Sequence, residues 1–415
     1  MIGTHVSSAR AEALSLLSSE AVRTRAHTLL ALGMRDELLH FRVDLERLEI
    51  AADLVAETTR AAYPSLDVPL HSRWRHFEFQ GVNRWAALTG ARSWKVDEAA
   101  RAAFDLAIVS VLLDAGAGTG WAYHDRRSGT TIGRSEGLAL ATLTMFEEGA
   151  FSADPGDPLR VDAAVLRDLP AEKFRRSFQI SDANPLVGSD GRTGQLRRLG
   201  QVVTEHPKIF GRYDEPRPGG LYDALAAKSR KKIIRAPAIL SELLLHLTPI
   251  WPSRQMLAGV ALGDCWAHPL LRTQDSTDGL VPLHKLLQWL AYSLIEPLQW
   301  AGYVVTDIDG LTGLAEYRNG GLFVDAGVLI LRDSTQTMRD HDVGSPLVVE
   351  WRALTVSLLD MLATKVRHRL NLNAVAFPLA RLLQGGTWAA GRALAGKLRS
   401  DGSPPIRVVS DGSVF

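Results

Sequence analysis

Apolar residues recur at three- and four-residue spacings along most of this 415-residue chain, and that period commits it to helices. Residues 7–32 and 35–63 carry the pattern. Leu38, Val43, Leu45, Leu48, Ala52 and Val55 approximate one face of the second stretch. The spacing predicts further helices over 97–113, 135–148, 162–169, 193–204, 221–228, 238–247, 253–262, 283–300, 347–370, 374–383 and 386–398. Gly149 follows 135–148 as a helix stop. Strand signals are confined to 302–306, 322–331 and 406–409. The expected fold class is all-α, mainly helical with a few short strands. Its expected parts are an N-terminal helical region, 1–92, a helical body, 93–400, and a tail, 401–415.

Charge narrows the function. The 47 Lys and Arg nearly balance 46 Asp and Glu, which argues against a general nucleic-acid binder. The single Cys265 excludes a disulfide framework and a cysteine zinc site, and fits a reducing cytosol. No run of about 18 apolar residues occurs, and the N-terminus lacks a signal core. The expectation is a cytoplasmic monomer with no membrane or nucleic-acid partner and no cofactor or metal. The basic run at 229–235 reads as a solvated helix face rather than a phosphate site.

Three segments could carry chemistry. LLDAGAGTG, 112–120, looks like a glycine loop for a nucleotide or S-adenosylmethionine, with Asp114, Gly116, Gly118 and Gly120. Such a loop needs a strand before it and a helix after it. Here a helical segment precedes and a polar one follows. The favoured reading is a turn after a helix that lets Asp114 and Trp121 face a pocket. Arg134 and Glu136 start the next helix, where Glu136 complements the helix dipole.

HSRWRHF, 71–77, places Arg73 and Arg75 among aromatics. Guanidinium forks suit a phosphate or carboxylate, though an arginine-rich surface turn is the plainer alternative. The strongest stretch is HKLLQWLAYSLIEPLQW followed by LTGLAEYRNGGLFVDAGVL. Lys285 and Gln288, three residues apart on an apolar helix, project the same way. Glu316 and Arg318 lie among apolar neighbours, and Asp325 follows a double glycine. Lys285 and Glu316 form either a buried ion pair or an active-site pair.

Taken together, HSRWRHFE, LLDAGAGTGWAY, GRSEGLALATLTMFEEGAFSADPGDPLRVDA, VPLHKLLQWLAYSLIEP and LTGLAEYRNGGLFVDAGVL resemble the uracil catabolism protein 4 family, also called Urc4/Urg3-like. They span residues 70–332. The resemblance implies removal of urea from a ribosylurea, an N-glycosidic cleavage in uracil breakdown. The order of patterns is also similar, more distantly, to the queuosine-salvage N-ribohydrolases, helical enzymes related to DNA glycosylases. LLDAGAGTGWAY resembles their V-L-D motif, LHKLLQ their aromatic-Lys-x-x-Gln helix, and LTGLAEYR their L-T-x-F-A-D-Y-R. That likeness puts Lys285 on a family lysine and Glu316 on the catalytic aspartate, one methylene longer. Where those enzymes have an aromatic before the lysine, this chain has His284.

The implied enzyme is a DNA-glycosylase-like N-glycosidase cleaving ribosylurea, or its 5′-phosphate, to urea and ribose or ribose 5-phosphate. C1′–N cleavage develops positive charge on the sugar, which a carboxylate stabilises while it activates water. Glu316, Lys285 and Asp114 form the expected catalytic set. Arg318, Tyr317, Trp121, Gln288, Asp325, Arg73, Arg75 and His284 are the expected contacts to a small nucleoside-like substrate. The alternatives are a methyltransferase using the glycine loop and a non-catalytic nucleoside-binding protein.

Overall fold

The computed structural model describes residues 2–90, 92–211, 215–251 and 254–409. Residues 410–415 of the expected tail lie outside it. Of the described residues, 55% are helix and 11% strand. Among the described residues the strands form seven two-stranded ladders rather than a central sheet.

Two compact units divide the chain, each assembled from separated segments. One comprises Met1–His71, Ser253–Gln288 and Asp307–Val409. The other comprises Ser72–Pro252 and Trp289–Thr306.

The first unit is organised by the helix Pro346–Leu370, buried at every position from Leu347 to Leu359. A helix enclosed on all sides reads as apolar all round. It packs on Ser19–Met34, Leu48–Ala62 and Tyr317–Asp325. Its two charged residues in the enclosed stretch are partnered. The Glu350 carboxylate accepts from the backbone N–H of Leu39, His40 and Phe41 at 3.3, 2.9 and 3.0 Å. Arg352 serves the site described below. Cys265–Ala267 pairs antiparallel with Leu280–Pro282, which sets Asp264 beside the start of the helix Lys285–Trp300.

In the second unit, Val96–Leu112 is buried at every position from Ala100 to Leu112. Asp105 sits within that run and accepts from the Arg217 guanidinium, Val161 N–H and Gly219 N–H. Around it pack Arg134–Glu147, Ser189–Glu205 and Gly220–Lys228.

Most expected helices are present, with local differences. Residues 253–262 were expected to be helical. The described part is a hairpin, Met256–Leu257 against Val260–Ala261. Ala258 and Gly259 both have positive φ, 47° and 73°, the geometry of a tight two-residue hairpin turn. The stretch 7–32 breaks where the Ser18 hydroxyl caps the helix Ser19–Met34. The stretch 35–63 is helical only from Leu48, after the strand Phe41–Val43. Within 322–331 only Leu329–Leu331 is strand, because Leu322 lies in the helix Tyr317–Asp325. The basic run 229–235 is no helix face: it leads into the strand Ile233–Arg235.

Candidate active site

Glu316 is the N-cap of the nine-residue helix Tyr317–Asp325. Its backbone is extended, and both side-chain oxygens accept from the helix start: Oε1 from Asn319 N–H at 2.5 Å, Oε2 from Arg318 N–H at 2.7 Å. Short oxygen-bearing side chains are the usual caps, so a glutamate here is uncommon. The side chain is buried, and burial pushes its carboxyl above the usual carboxylate range. The two N–H groups and the Lys285 and Arg318 charges oppose that shift. The result is a desolvated carboxyl aimed at helix N–H groups, with a lysine charge near it.

Lys285 begins its own helix, and its backbone N–H donates to Asp264 Oδ2 at 2.9 Å. Asp264 is buried and holds Arg352 at two points, 2.9 and 2.8 Å. It also accepts from Trp266 Nε1 at 2.7 Å. Burial works to raise its carboxyl, but the Arg352 charge and these hydrogen bonds hold it well below the usual range. Arg352 Nε donates in turn to the Ala315 carbonyl at 3.1 Å, one residue before Glu316. One ion pair therefore fixes both the helix start that carries Lys285 and the loop that carries Glu316.

Other expected residues of this unit have defined partners. His284 has positive φ, 47°, and its ring Nε2 meets the Leu16 carbonyl at 3.0 Å. A carbonyl only accepts, so Nε2 carries the proton. Burial pulls this imidazole below its ordinary pKa. The Arg318 guanidinium lies over the Tyr317 ring at 5.1 Å and donates to the Gly402 carbonyl at 2.8 Å. Asp325, at the other end of the helix from Glu316, holds Arg399 at two points, 2.9 and 2.5 Å. Gln288 Oε1 faces the Thr312 N–H at 3.4 Å.

The remaining expected residues belong to the second unit. Arg73 is fully buried. Its guanidinium donates to Ser110 Oγ at 2.7 Å, Asp114 Oδ1 at 2.9 Å and the Ser135 carbonyl at 3.2 Å. It lies over the Trp289 ring at 5.5 Å. Burial lowers its pKa against the raising effect of Asp114. Arg75 pairs with Glu296 at 2.5 Å and Glu78 at 2.9 Å. Trp121 is a packing residue: its indole N–H donates to the Phe178 carbonyl at 2.9 Å, and its ring stacks on Phe178.

The glycine loop follows a helix and precedes the hairpin Ala122–Asp125 and Thr130–Gly133. The Arg192 guanidinium donates to the carbonyls of Leu113, Ala115 and Gly116. A phosphate-binding loop turns amide N–H groups to its ligand; this one turns carbonyls to a cation. The arrangement a methyltransferase reading needs is absent here. Among the described residues no group of three His, Cys, Asp or Glu is placed to hold a metal, and no helix is long and apolar enough to cross a membrane.

A family model described as "Protein of unknown function (DUF1688)" matches residues 15–415. The chain belongs to this family. Protein urg3 of Schizosaccharomyces pombe is similar to it, 39% identical over 412 residues, which cover 96% of this chain and 98% of urg3. Uracil catabolism protein 4 of Lachancea kluyveri is 38% identical over 410 residues, covering 91% of this chain and 92% of that protein. The Urc4/Urg3-like assignment read from five segments is thus correct, and the likeness runs well beyond residues 70–332.

Sequence reasoning about this DUF1688 chain missed Asp264 and Arg352. The signal was present for Arg352: a charged residue inside LVVEWRALTVSLL, a run too apolar to face water, requires a buried partner. Nothing local marked Asp264 as that partner, 88 residues away. Asn319 was also missed, although it follows Glu316 by one helical turn.

Proposed function

We propose that this chain is an N-glycosidase of uracil breakdown, hydrolysing ribosylurea or its 5′-phosphate to urea and ribose or ribose 5-phosphate. The name of the Lachancea kluyveri relative, uracil catabolism protein 4, supports the pathway. The observation that carries the chemistry is Glu316: a buried carboxyl, held at both oxygens by a helix start, with a lysine charge near it. As C1′–N breaks, the bonding pair leaves with the ureide nitrogen and water oxygen bonds to C1′; the proton that water gives up to Glu316 passes on to the departing nitrogen, which leaves as urea and restores the carboxylate. Glu316 stabilises the oxocarbenium-like sugar and accepts the water proton. Its raised pKa brings the base closer to neutral pH, where a general base works best. Lys285 orients the carboxylate or a substrate oxygen. We read the helical body as DNA-glycosylase-like. A 5′-phosphate would call on Arg or Lys; Arg73 and Arg75 already hold carboxylates, which favours the unphosphorylated substrate.

A second reading has one observation in its favour. Both Glu316 oxygens cap a helix, as they would in a nucleoside-binding protein without turnover. Incubating the purified chain with ribosylurea and with its 5′-phosphate, and assaying free urea, separates the two. Catalytic release from either substrate supports the glycosidase; saturable binding with no urea supports the binding protein.

A further inference from the structure

Two buried amide atoms beside Glu316 and Lys285 have no hydrogen-bond partner: Gln288 Nε2 and Asn319 Oδ1. Their residues are 0% and 1% exposed. Unsatisfied buried polar atoms are few in folded proteins, and each calls for an explanation. The orientation of each amide is fixed by its other half. Gln288 faces the Thr312 backbone N–H, which needs an acceptor, so the oxygen lies there and the NH₂ is left over. Asn319 faces the Leu314 carbonyl, which needs a donor, so the NH₂ lies there at 3.2 Å and the oxygen is left over.

The two amides therefore leave one donor and one acceptor, and Arg318 Nε is a further buried donor without a hydrogen-bond partner. Both side chains are anchored to the same short loop, residues 312–314, that leads into Glu316. Asn319 also gives its backbone N–H to Glu316 Oε1, and Gln288 sits one helical turn from Lys285.

We propose that Asn319 Oδ1 and Gln288 Nε2 read the ureide of the substrate, an inference that rests on the glycosidase reading above. A phosphate or carboxylate offers only acceptors and leaves Asn319 Oδ1 unmet. A ureide offers both kinds of group. Its terminal NH₂ donates to Asn319, and its carbonyl oxygen accepts from Gln288. As the C1′–N bond breaks, the bonding pair spreads from the departing nitrogen onto that oxygen. The Gln288 bond therefore strengthens in the transition state, before the nitrogen is protonated and urea leaves. Asn319 sets specificity; Gln288 assists departure.

The test compares ribosylurea with ribosylacetamide, which carries CH₃ where the ureide has its terminal NH₂. Wild type should prefer ribosylurea by tenfold or more in kcat/KM. Asn319→Leu should flatten that preference, and Gln288→Met should lower kcat on ribosylurea tenfold or more with little change in KM. Melting temperatures show whether each variant folds. If neither does, the wild-type preference decides alone, and equal use of the two substrates overturns the proposal. Folded variants that keep the wild-type preference and kcat overturn it too. Wild type that releases no urea from ribosylurea or its 5′-phosphate overturns the glycosidase reading, and this inference with it. Urea release without preference overturns this inference only.

Discussion

Asp264 and Arg352, 88 residues apart in sequence, form a buried two-point ion pair that holds the backbone of Lys285 on one side and the carbonyl before Glu316 on the other. It sets the spacing of the two backbones that present Lys285 and Glu316. Removing one partner strands the other as an uncompensated buried charge. Arg352→Met should therefore lower unfolding stability by about 3–5 kcal/mol. The double variant Asp264→Leu with Arg352→Met should lose less than the sum of the two single changes. Chemical denaturation of the three variants checks the cycle.

The two carboxyls of this unit should pull stability in opposite directions with pH. Asp264 is held below its unfolded value, so its contribution is present above about pH 4 and is lost as pH falls toward the folded pKa. Glu316 is raised, so its contribution is full below about pH 4 and is lost as pH rises through the folded pKa. The stability of wild type relative to Glu316→Gln should thus decline as pH rises from 4 to 7. The stability of wild type relative to Asp264→Asn should decline as pH falls from 5 to 2. Denaturation curves across pH read both signs.

The sequence singled out Arg73 as a substrate contact and Asp114 as a catalytic group, and the structure pairs them with one another inside the second unit. Arg73→Met should lower stability by about 3–5 kcal/mol because Asp114 is left charged in the core. An Arg73 that acts mainly as a phosphate ligand makes a different forecast: unchanged melting temperature and a raised KM for the 5′-phosphate alone.

The helix Trp388–Leu398 crosses close to Tyr317–Asp325, and a Cβ on Gly391 would overlap the Arg318 carbonyl oxygen. Gly391→Ala should destabilise by about 1–3 kcal/mol through forced separation of the two backbones. A melting temperature equal to wild type would show that this contact yields easily.

The helices were legible because burial of one face, or of every face, leaves a period in the sequence. Lys285–Trp300 and Pro346–Leu370 differ from their expected ranges by only a residue or two. The hairpin Met256–Leu257 with Val260–Ala261 was not legible: two-residue strands are too short for alternation, and its Leu-Ala-Gly-Val reads equally well as helix. Glu316 stood out because an acidic residue among apolar neighbours has few reasons to be there. Its partners did not. Asp264 and Arg352 meet through tertiary packing, and the polarity left over on Asn319 depends on which backbone group its amide faces.

Glu316→Gln tests the central claim most directly, since it keeps the length of the side chain and removes the charge, at the loss of one of the two cap hydrogen bonds. Urea release from ribosylurea, substrate binding and melting temperature are measured on the same preparation. The account predicts a folded variant that binds substrate nearly as wild type does and loses about 10²–10⁴ in kcat. A folded variant that releases urea at the wild-type rate would contradict it and take Glu316 out of the mechanism.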